Sequence, residues 1–403
     1  MTQGLYRGGV RKLGNIKESN RRFIPYGQQW IDEEDIEAVA QVLRSPFITQ
    51  GPAITEFESS IADYVDAKYA VAFSNGTSAL HAACFAAEIG SGDEVITTPI
   101  TFLASSNCVL YQGGTPVFAD IDKRTYNINP DDIERKITSR TKAIIPVDFS
   151  GQPVEIERIM EIAHHHELIV IHDAAHSLGA EYKGKKVGSW ADMTMFSFHP
   201  VKHITTGEGG VITTNNEAFY RKLMLFRNHG MTRIAEEWTR NDGPWYYEMH
   251  ELGYNYRMTD MQAALGLSQL RKLDQFVMRR REIASMYNEA FKKLQGIVIP
   301  EQYDGTASSW HLYVIRWLPE YFKVGRREIF EALREERIGV NVHYIPVYKQ
   351  PYYQRLGYDT VLCPNAEAYY QTAMSIPIFP KMSDGDGAQV ISAVKKIYEQ
   401  YVK

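Results

Sequence analysis

The chain lacks several features that would place it in a class at once. Only three cysteines, Cys84, Cys108 and Cys363, occur in 403 residues. None forms a Cys-x-x-Cys pair, which argues against a disulfide framework or a zinc site and fits a reducing compartment. No apolar run approaches membrane-spanning length, the amino terminus has no signal-peptide core, and the net charge of −5 suggests no nucleic-acid partner. We therefore expect a cytoplasmic protein without a membrane or nucleic-acid partner.

The hydrophobic pattern predicts an α/β protein. Seven apolar runs alternate with helix-compatible stretches such as Ser78–Glu88 and Val154–His166. This alternation predicts a mostly parallel, seven-stranded sheet covered by helices on both faces. The predicted strands are Tyr69–Ser74, Glu94–Thr98, Pro116–Asp120, Ala143–Asp148, Leu168–His172, Met193–Phe198 and Gly210–Thr214.

The pattern changes after residue 259, where long helical segments run to Leu294. We expect a large domain at 23–260, a smaller C-terminal α+β domain at 261–403, and a basic, solvated arm at 1–22. The predicted elements of the small domain are strands at His311–Trp317 and near Gly339–Tyr344, and helices at Arg326–Arg337, Ala366–Met374 and Asp384–Tyr401.

An acid and a lysine follow two of the predicted strands. Asp173 comes directly after Leu168–His172, and Lys202 comes after the strand that begins at Met193. Ligands of open α/β sheets bind at the carboxyl ends of the strands, so we expect both side chains at one rim. Pyridoxal 5'-phosphate (PLP) requires such a pair, because a lysine forms a covalent imine with it and an acid keeps its ring nitrogen protonated. The sequence therefore predicts PLP as cofactor and Lys202 as the catalytic residue.

Both residues also have simpler interpretations. Asp173 would cap a helix that begins near Ala174, and most lysines lie on the surface. His172, Asp173 and His176 also resemble a metal-ligand cluster. Metal phosphohydrolases with a His-Asp pair are helical at that point, whereas this segment has a strand pattern. We therefore predict no metal site, and a metal phosphohydrolase is kept as the alternative that bound metal would support.

A second motif favours phosphate binding. The run Ser-Asn-Gly-Thr-Ser-Ala-Leu at 74–80 follows a predicted strand and opens a helix. Gly76 permits a tight turn, and the helix N-terminus presents free N–H groups to a phosphate. The hydroxyls of Thr77 and Ser78 add donors, and Ser197, on another strand end, is a further candidate. A plain helix cap accounts for the same run. The run therefore supports a phosphate site only in combination with Asp173 and Lys202.

Further blocks of sequence make the chain resemble one family, the DegT/DnrJ/EryC1/StrS sugar aminotransferases, from about Ile24 to the carboxyl terminus. The resemblance implies the aspartate aminotransferase fold, which is fold type I of the PLP-dependent transferases. The blocks are Phe-Ile-Thr-Gln-Gly-Pro at 47–52, the run at 74–80, Thr-Pro-Ile-Thr-Phe at 98–102, Asp-Ala-Ala-His at 173–176, the segment 197–202, Arg-Asn-His-Gly at 227–230, Gly-Tyr-Asn-Tyr-Arg-Met at 253–258 and His-Tyr-Ile-Pro at 343–346.

The resemblance also implies roles for single residues. Lys202 would hold the cofactor and Asp173 would pair with its ring nitrogen, while His176 lies where many relatives have glutamine near the ring hydroxyl. The other implied cofactor residues are Gly76, Thr77, Ser78, Ser197 and Asn255. The implied substrate residues are Tyr26, Pro46, Phe47, Ile48, Thr49, Gly76, Ser197, Asn255, His343, Tyr344, Ile345 and Pro346. For Tyr344, a core position is an equal alternative. In the family, Asn255 of the partner subunit reaches the phosphate, which implies a homodimer with shared active sites.

Within the family, the chain resembles most the branch of pseudaminic acid biosynthesis. This implies transfer of an amino group from L-glutamate to C4 of a UDP-linked 4-keto-6-deoxy-N-acetyl hexose (UDP-2-acetamido-2,6-dideoxy-β-L-arabino-hexos-4-ulose). One alternative is an aminotransferase for another UDP- or dTDP-4-keto sugar. Another is a C3 dehydratase, but dehydratases carry histidine in place of Lys202. A non-catalytic PLP-binding regulatory domain belongs to a different class, and residues 1–22 are too short for the helix-turn-helix that such proteins append.

Overall fold

The computed structural model describes residues 22–403. The predicted N-terminal arm therefore lies outside the described residues, apart from Arg22, and its role stays a prediction. The described part of the chain contains a large central sheet with helices on both faces, followed by a C-terminal region with a small sheet of its own.

The central sheet has seven strands, in agreement with the sequence pattern. They are β1 (Tyr69–Phe73), β2 (Glu94–Thr97), β3 (Thr115–Phe118), β4 (Thr141–Ile145), β5 (Ile169–Asp173), β6 (Met193–Ser197) and β7 (Gly210–Thr214). Their order across the sheet is β1-β7-β6-β5-β4-β2-β3. Only β7 runs against the others, since it pairs antiparallel with both β1 and β6. The predicted mostly parallel α/β sheet is confirmed.

Both faces of the sheet are buried, which explains why its strands are continuously apolar rather than alternating. In β6, Met195 packs into a cluster on one face and Phe196 into a cluster on the other. The covering helices include α1 (Glu33–Arg44), α2 (Pro52–Val65), α3 (Gly76–Ala86), α4 (Ala104–Tyr111), α5 (Pro130–Lys136), α6 (Ile156–His165), α7 (Glu217–Arg227) and α8 (Asp260–Leu270). Because six of the seven strands run in the same direction, their carboxyl ends lie at one edge of the sheet.

Helix α3 begins where the sequence predicts a turn, because Asn75 caps it. Asn75 Oδ1 accepts a hydrogen bond from the backbone N–H of Ser78 at 2.8 Å. The Ser78 hydroxyl in turn accepts one from the backbone N–H of Asn75 at 3.2 Å. This reciprocal pair is a capping box, and it fixes the N-terminus of α3 directly after β1.

The C-terminal region is built on a small antiparallel sheet. Its strands, in spatial order, are β8 (Ile297–Val298), β9 (Tyr313–Trp317) and β10 (Ala373–Ile376). Its helices are α9 (Leu273–Phe291), α10 (Arg326–Glu335), α11 (Pro351–Arg355), α12 (Pro364–Thr372) and α13 (Asp384–Tyr401). Two-residue strands outside these sheets lie at Glu181–Tyr182, Lys185–Lys186, Met231–Thr232, Glu248–Met249 and Thr306–Ala307.

One predicted strand of this region is wrong. In the segment near Gly339–Tyr344, only Asn341 pairs with a strand, as an isolated bridge to Ser375. The Asn341 side chain accepts a hydrogen bond from the N–H of Val342 at 2.8 Å, so this N–H is not available to a sheet. The strand forms instead at β10, where all four residues are buried. Helix α12 ends at Thr372, two residues before the predicted helix end at Met374.

A separate apolar cluster lies in the C-terminal region and includes one residue from the start of the chain. Ile24 is fully buried in this cluster, beside residues of α9, α10 and α13. Its N–H donates to the Arg337 carbonyl at 3.0 Å, and its carbonyl accepts from the Gly339 N–H at 2.7 Å. The neighbouring Tyr26 is thereby tied to the C-terminal region. The domain limits 23–260 and 261–403 stay a prediction.

Candidate active site

A cavity of about 970 Å³ opens where β5 and β6 end and α3 begins. The residue that follows a parallel strand lies at the carboxyl edge of the sheet, where the helix N-termini also point. Many of the predicted site residues meet there. Those that line the cavity are Tyr26, Gly76, Thr77, Ser78, Asp173, His176, Ser197, Lys202, His343 and Tyr344.

Asp173 is the last residue of β5 and is buried. Its Oδ2 accepts a 2.6 Å hydrogen bond from the Ser105 hydroxyl, and its Oδ1 accepts one from the Ala175 N–H at 3.1 Å. Burial raises the pKa of Asp173, although the hydrogen bond from Ser105 acts in the opposite direction. A carboxylate held in this way gains from a cationic partner in the cavity.

Lys202 follows β6 after one turn, in which its N–H donates to the His199 carbonyl at 2.9 Å. Burial lowers the pKa of Lys202 to about 8, and the charge of Asp173 partly offsets this shift. The ordinary pKa of a lysine is near 10.4, so far more of the amine is unprotonated at neutral pH than on a surface. This is the condition for a lysine that acts as nucleophile and base.

The start of α3 forms a cradle with few side-chain atoms. A Cβ added to Gly76 would lie 3.2 Å from the Ser197 Cβ, and one added to Gly210 would lie 2.7 Å from the Asn75 carbonyl oxygen. Glycine at both positions lets β7, β6 and α3 approach closely. The Ser78 hydroxyl is engaged in the helix cap, so the simpler capping interpretation holds for that side chain.

His176 contacts His311 and Tyr344, two residues of the C-terminal region that line the cavity. Its Nδ1 accepts a hydrogen bond from the Ser150 N–H at 3.3 Å, and its Nε2 lies 3.4 Å from the Tyr344 hydroxyl. Burial, followed by the charge of Lys202, lowers the pKa of His176 well below its usual range. The ring is therefore neutral, and because Nδ1 accepts, its proton lies on Nε2.

Other predicted residues lie outside this cavity in the same chain. Asn255 is exposed on the loop before α8, and the segment 46–49 is exposed between α1 and α2. Phe47 and Ile48 are 56% and 48% exposed, which is unusual for large apolar side chains. Ile345 is exposed, whereas Pro346 is buried. A single chain does not bring these residues to the cavity.

Several residues of the cavity wall are absent from the sequence prediction. Phe102 and Tyr256 belong to blocks that carry the family resemblance, so a signal for them existed. Ser105, His311 and Asn341 gave no signal, because their places in the wall depend on contacts between segments far apart in the chain. Only the structure shows that Ser105 contacts the acid.

Two negative findings concern residues 22–403. No helix there combines the length and the apolar character needed to cross a membrane. No group of three or more histidine, cysteine, aspartate or glutamate side chains is placed to hold a metal ion. His172 is buried, with its Nε2 2.8 Å from Asp148 Oδ1 in the loop after β4.

Three features of the cavity fit PLP. Asp173 is a buried acid that a protonated ring nitrogen would neutralise. Lys202 is an amine with a pKa near 8. The α3 N-terminus, with its glycine cradle, offers N–H groups to a phosphate. An acid and a lysine at the rim of a mostly parallel sheet, beside such a helix, define the class of PLP-dependent transferases.

Comparison with known proteins gives the family. The model of the DegT/DnrJ/EryC1/StrS aminotransferase family matches residues 29–395, and the chain belongs to this family. Members of the family use PLP, so the chain is a PLP-dependent sugar aminotransferase. The predicted family, fold class, cofactor and enzyme class are confirmed.

Three relatives are informative. The spore coat polysaccharide biosynthesis protein SpsC of Bacillus subtilis is 43% identical over 382 residues, which cover 94% of this chain and 98% of SpsC. The UDP-4-amino-4,6-dideoxy-N-acetyl-beta-L-altrosamine transaminase of Campylobacter jejuni is 39% identical over 384 residues, covering 94% and 99%. The structure of Helicobacter pylori PseC, an aminotransferase of pseudaminic acid biosynthesis, superposes with a TM-score of 0.88 at 35% identity and covers 94% of this chain and all of PseC.

Proposed function

We propose that the chain transfers an amino group from L-glutamate to C4 of a UDP-linked 4-keto-6-deoxy-N-acetyl hexose, in the cytoplasm and as part of pseudaminic acid biosynthesis. The observation that carries the proposal is the full-length similarity to the Campylobacter altrosamine transaminase and to Helicobacter PseC. The cavity supports it, because about 970 Å³ leaves room for a sugar beside the cofactor.

We assign a separate role in this reaction to each of several cavity residues. PLP, when bound, supplies an electron-withdrawing ring that acidifies the proton on the substrate carbon. We assign to Lys202 the covalent hold on the cofactor and, once its amine is free, the transfer of that proton, first as base and then as acid. Asp173 keeps the ring nitrogen charged. Thr77 and Ser197, which both line the cavity, would bind the phosphate.

A panel of nucleotide sugars tests the substrate. Purified protein with PLP and glutamate should aminate the UDP-linked 4-keto-N-acetyl sugar at least about 100-fold faster than dTDP-linked 4-keto sugars, since a pocket built for an acetamido group and uridine leaves polar groups unpaired with other sugars. Mass spectrometry of the products measures this ratio. Exclusive use of a dTDP sugar would replace the proposed substrate. Bound PLP without turnover of any amino donor would favour the regulatory-domain alternative.

A second candidate is amination of another 4-keto nucleotide sugar. SpsC, which is named for spore coat polysaccharide, is more similar to this chain than the altrosamine transaminase is, at 43% against 39% identity. The same panel separates the two candidates, because only the sugar and the nucleotide differ between them.

We also propose a homodimer with shared active sites. Asn255, which the family resemblance places at the phosphate of a neighbouring subunit, is exposed here. The rings of the residues on either side of it in sequence, Tyr254 and Tyr256, stack on each other. The exposed segment 46–49 lies beside the same loop, because Thr49 forms a bridge to Thr259. Segment 46–49 is apolar and exposed, and the neighbouring Asn255 does not line the cavity of its own chain. Both features fit a contact with a second copy of the chain.

Mixing two inactive variants tests this arrangement. Lys202→Ala lacks the amine and Asn255→Ala would lack the partner's phosphate contact, so each alone should be nearly inactive. In a mixed dimer, one of the two sites combines an intact Lys202 with an intact Asn255 of the partner subunit. Statistical exchange of subunits should therefore restore about one quarter of wild-type turnover. Failure to gain any activity in dimers shown by mass to be mixed would contradict shared sites.

A further inference from the structure

A buried carboxylate in the loop after β4 has no part in the assignments above. Asp148 is fully buried and does not line the cavity. Its Oδ2 accepts a 2.6 Å hydrogen bond from the Ser177 hydroxyl, and its Oδ1 accepts one from the Val154 N–H at 2.8 Å. A carboxylate is stable in the interior only when its oxygens are bonded. The contacts of Asp148 therefore show which segments this carboxylate holds together.

These contacts reach both ends of the segment that carries Asp173 and His176. At one end, the Nε2 of His172 lies 2.8 Å from Asp148 Oδ1, and the Asp148 N–H donates to the Asp173 carbonyl at 3.1 Å. At the other end, Ser177, which donates to Oδ2, directly follows His176 in the chain. Asp148 thus ties the loop after β4 to a segment that contributes two residues to the cavity.

The same loop holds the ring of His176 directly. Ser150, two residues after Asp148, donates its backbone N–H to His176 Nδ1 at 3.3 Å. Ser150 has a left-handed conformation, with a φ of 65°, which is unfavourable for a residue other than glycine and persists only where the surroundings impose it. Its hydroxyl donates to the Leu312 carbonyl at 2.8 Å. The loop is therefore held by Asp148 on one side and by the C-terminal region on the other.

The hydrogen bond from Ser150 determines which nitrogen of His176 carries the proton. A ring nitrogen that accepts a hydrogen bond has no proton, so the neutral ring is protonated at Nε2. Nε2 lies 3.4 Å from the hydroxyl of Tyr344, which also lines the cavity. Without the Ser150 N–H at Nδ1, either nitrogen could carry the proton. Part of the molecules would then lack the N–H donor at this point of the cavity.

We propose that Asp148 is a positioning residue for amino transfer, which holds the loop after β4 so that Ser150 fixes His176 with its proton on Nε2. The backbone bond from Asp148 to the Asp173 carbonyl survives replacement of the side chain. We therefore expect a replacement of Asp148 to affect the site through His176. The inference rests on the proposed function only for the amino donor that its kinetic test uses.

Nitrogen NMR of cofactor-free protein with isotope-labelled histidine tests the position of the proton. Wild-type His176, identified by the signal missing in His176→Ala, should carry its proton on Nε2 alone. Asp148→Ala should give a mixture of both forms, because the Ser150 N–H is no longer held at Nδ1. The matched control is Asp35→Ala, which removes another fully buried, hydrogen-bonded carboxylate that does not line the cavity. It should leave the His176 signal unchanged. An unchanged signal in Asp148→Ala as well would overturn the proposal.

A double-mutant cycle tests whether Asp148 acts through His176. The rate at which glutamate bleaches the absorbance of bound PLP should fall at least about tenfold in Asp148→Ala. It should fall less than about threefold in Asp148→Asn, which keeps one acceptor oxygen. When His176 is already alanine, Asp148→Ala should cause less than about a twofold further loss. Losses that multiply in the double variant, or a single variant as fast as wild type, would contradict the role of Asp148.

The outcomes separate this inference from the proposed function. The expected cycle with glutamate, in a protein that rejects every UDP sugar, would overturn the proposed substrate and leave the role of Asp148 in place. Absence of any reaction with glutamate would overturn the proposed donor, and the NMR spectrum would then decide on Asp148. If Asp148→Ala is unfolded, Ser177→Ala takes its place in both measurements, because it removes the same hydrogen bond from the other side. A His176 signal that stays unchanged in Ser177→Ala would also refute the proposal.

Discussion

Replacement of Lys202 by alanine should lower amino transfer by at least about 10⁴-fold, because we propose that this one side chain both holds the cofactor and moves the proton. The absorbance band of covalently held cofactor should vanish at the same time. Steady-state turnover with glutamate and the keto sugar measures the first effect, and a spectrum of protein loaded with PLP measures the second. The pKa of Lys202, near 8, shows that its amine is held at a cost in the cavity. Its removal should therefore leave the melting temperature unchanged or higher.

The matched control is Lys123→Ala, which removes an exposed lysine that does not line the cavity and should retain wild-type turnover. Lys202→Ala with turnover close to that of the control would remove the central assignment of the site. A variant that has lost both its turnover and its melting transition would be unfolded. Circular dichroism of each variant should therefore accompany the turnover measurement.

Replacement of Asp173 by asparagine should lower turnover by about 10²- to 10³-fold, since a neutral amide does not hold the charge on the ring nitrogen. It should also change the amine. The carboxylate of Asp173 raises the pKa of Lys202 against the larger lowering effect of burial. Without it, the pKa of Lys202 should fall below about 8. In cofactor-free protein, the pH midpoint for labelling of Lys202 by an amine-reactive reagent, followed by mass spectrometry, measures this shift.

Ser105→Ala separates the charge of Asp173 from its orientation. The hydroxyl of Ser105 donates to Asp173 at 2.6 Å and holds the pKa of the acid down. Its loss should raise the pKa of Asp173 but keep the carboxylate, so turnover should fall less than about tenfold. If Asp173→Asn were no worse than Ser105→Ala, the acid would serve only to keep the segment in place.

The sequence predicts the central sheet well because its strands are buried on both faces. Short, β-branched apolar runs such as the one before Asp173 are typical of strands that are buried on both faces of a sheet. The position of the site follows from the strand order. Because β5 and β6 are parallel neighbours, Asp173 and Lys202, which come at and after their carboxyl ends, lie at the same edge of the sheet. The positions of the acid and the lysine were therefore predictable from local pattern alone, whereas the proposed substrate rests on the family resemblance.

The rest of the site depends on contacts that no local pattern records. The hydrogen bond from the buried Arg280 to the His311 carbonyl forms only after α9 and the segment before β9 have packed together. The wrong strand near Gly339–Tyr344 has a similar origin. Its residues favour a strand, but the side chain of Asn341 takes the N–H that a sheet would need. Asn255 is exposed in the single chain, so its proposed role depends on a contact with a second copy.

The anchoring of Ile24 has a consequence for the order of folding during synthesis. Ile24 forms its backbone bonds with Arg337 and Gly339, which leave the ribosome long after it does. The central sheet can assemble while translation continues, because its strands and covering helices precede these residues. Tyr26, carried by the same early segment, reaches the cavity wall only when the last third of the polypeptide has emerged. A nascent chain released too early would therefore contain the lysine and the acid but lack a finished pocket.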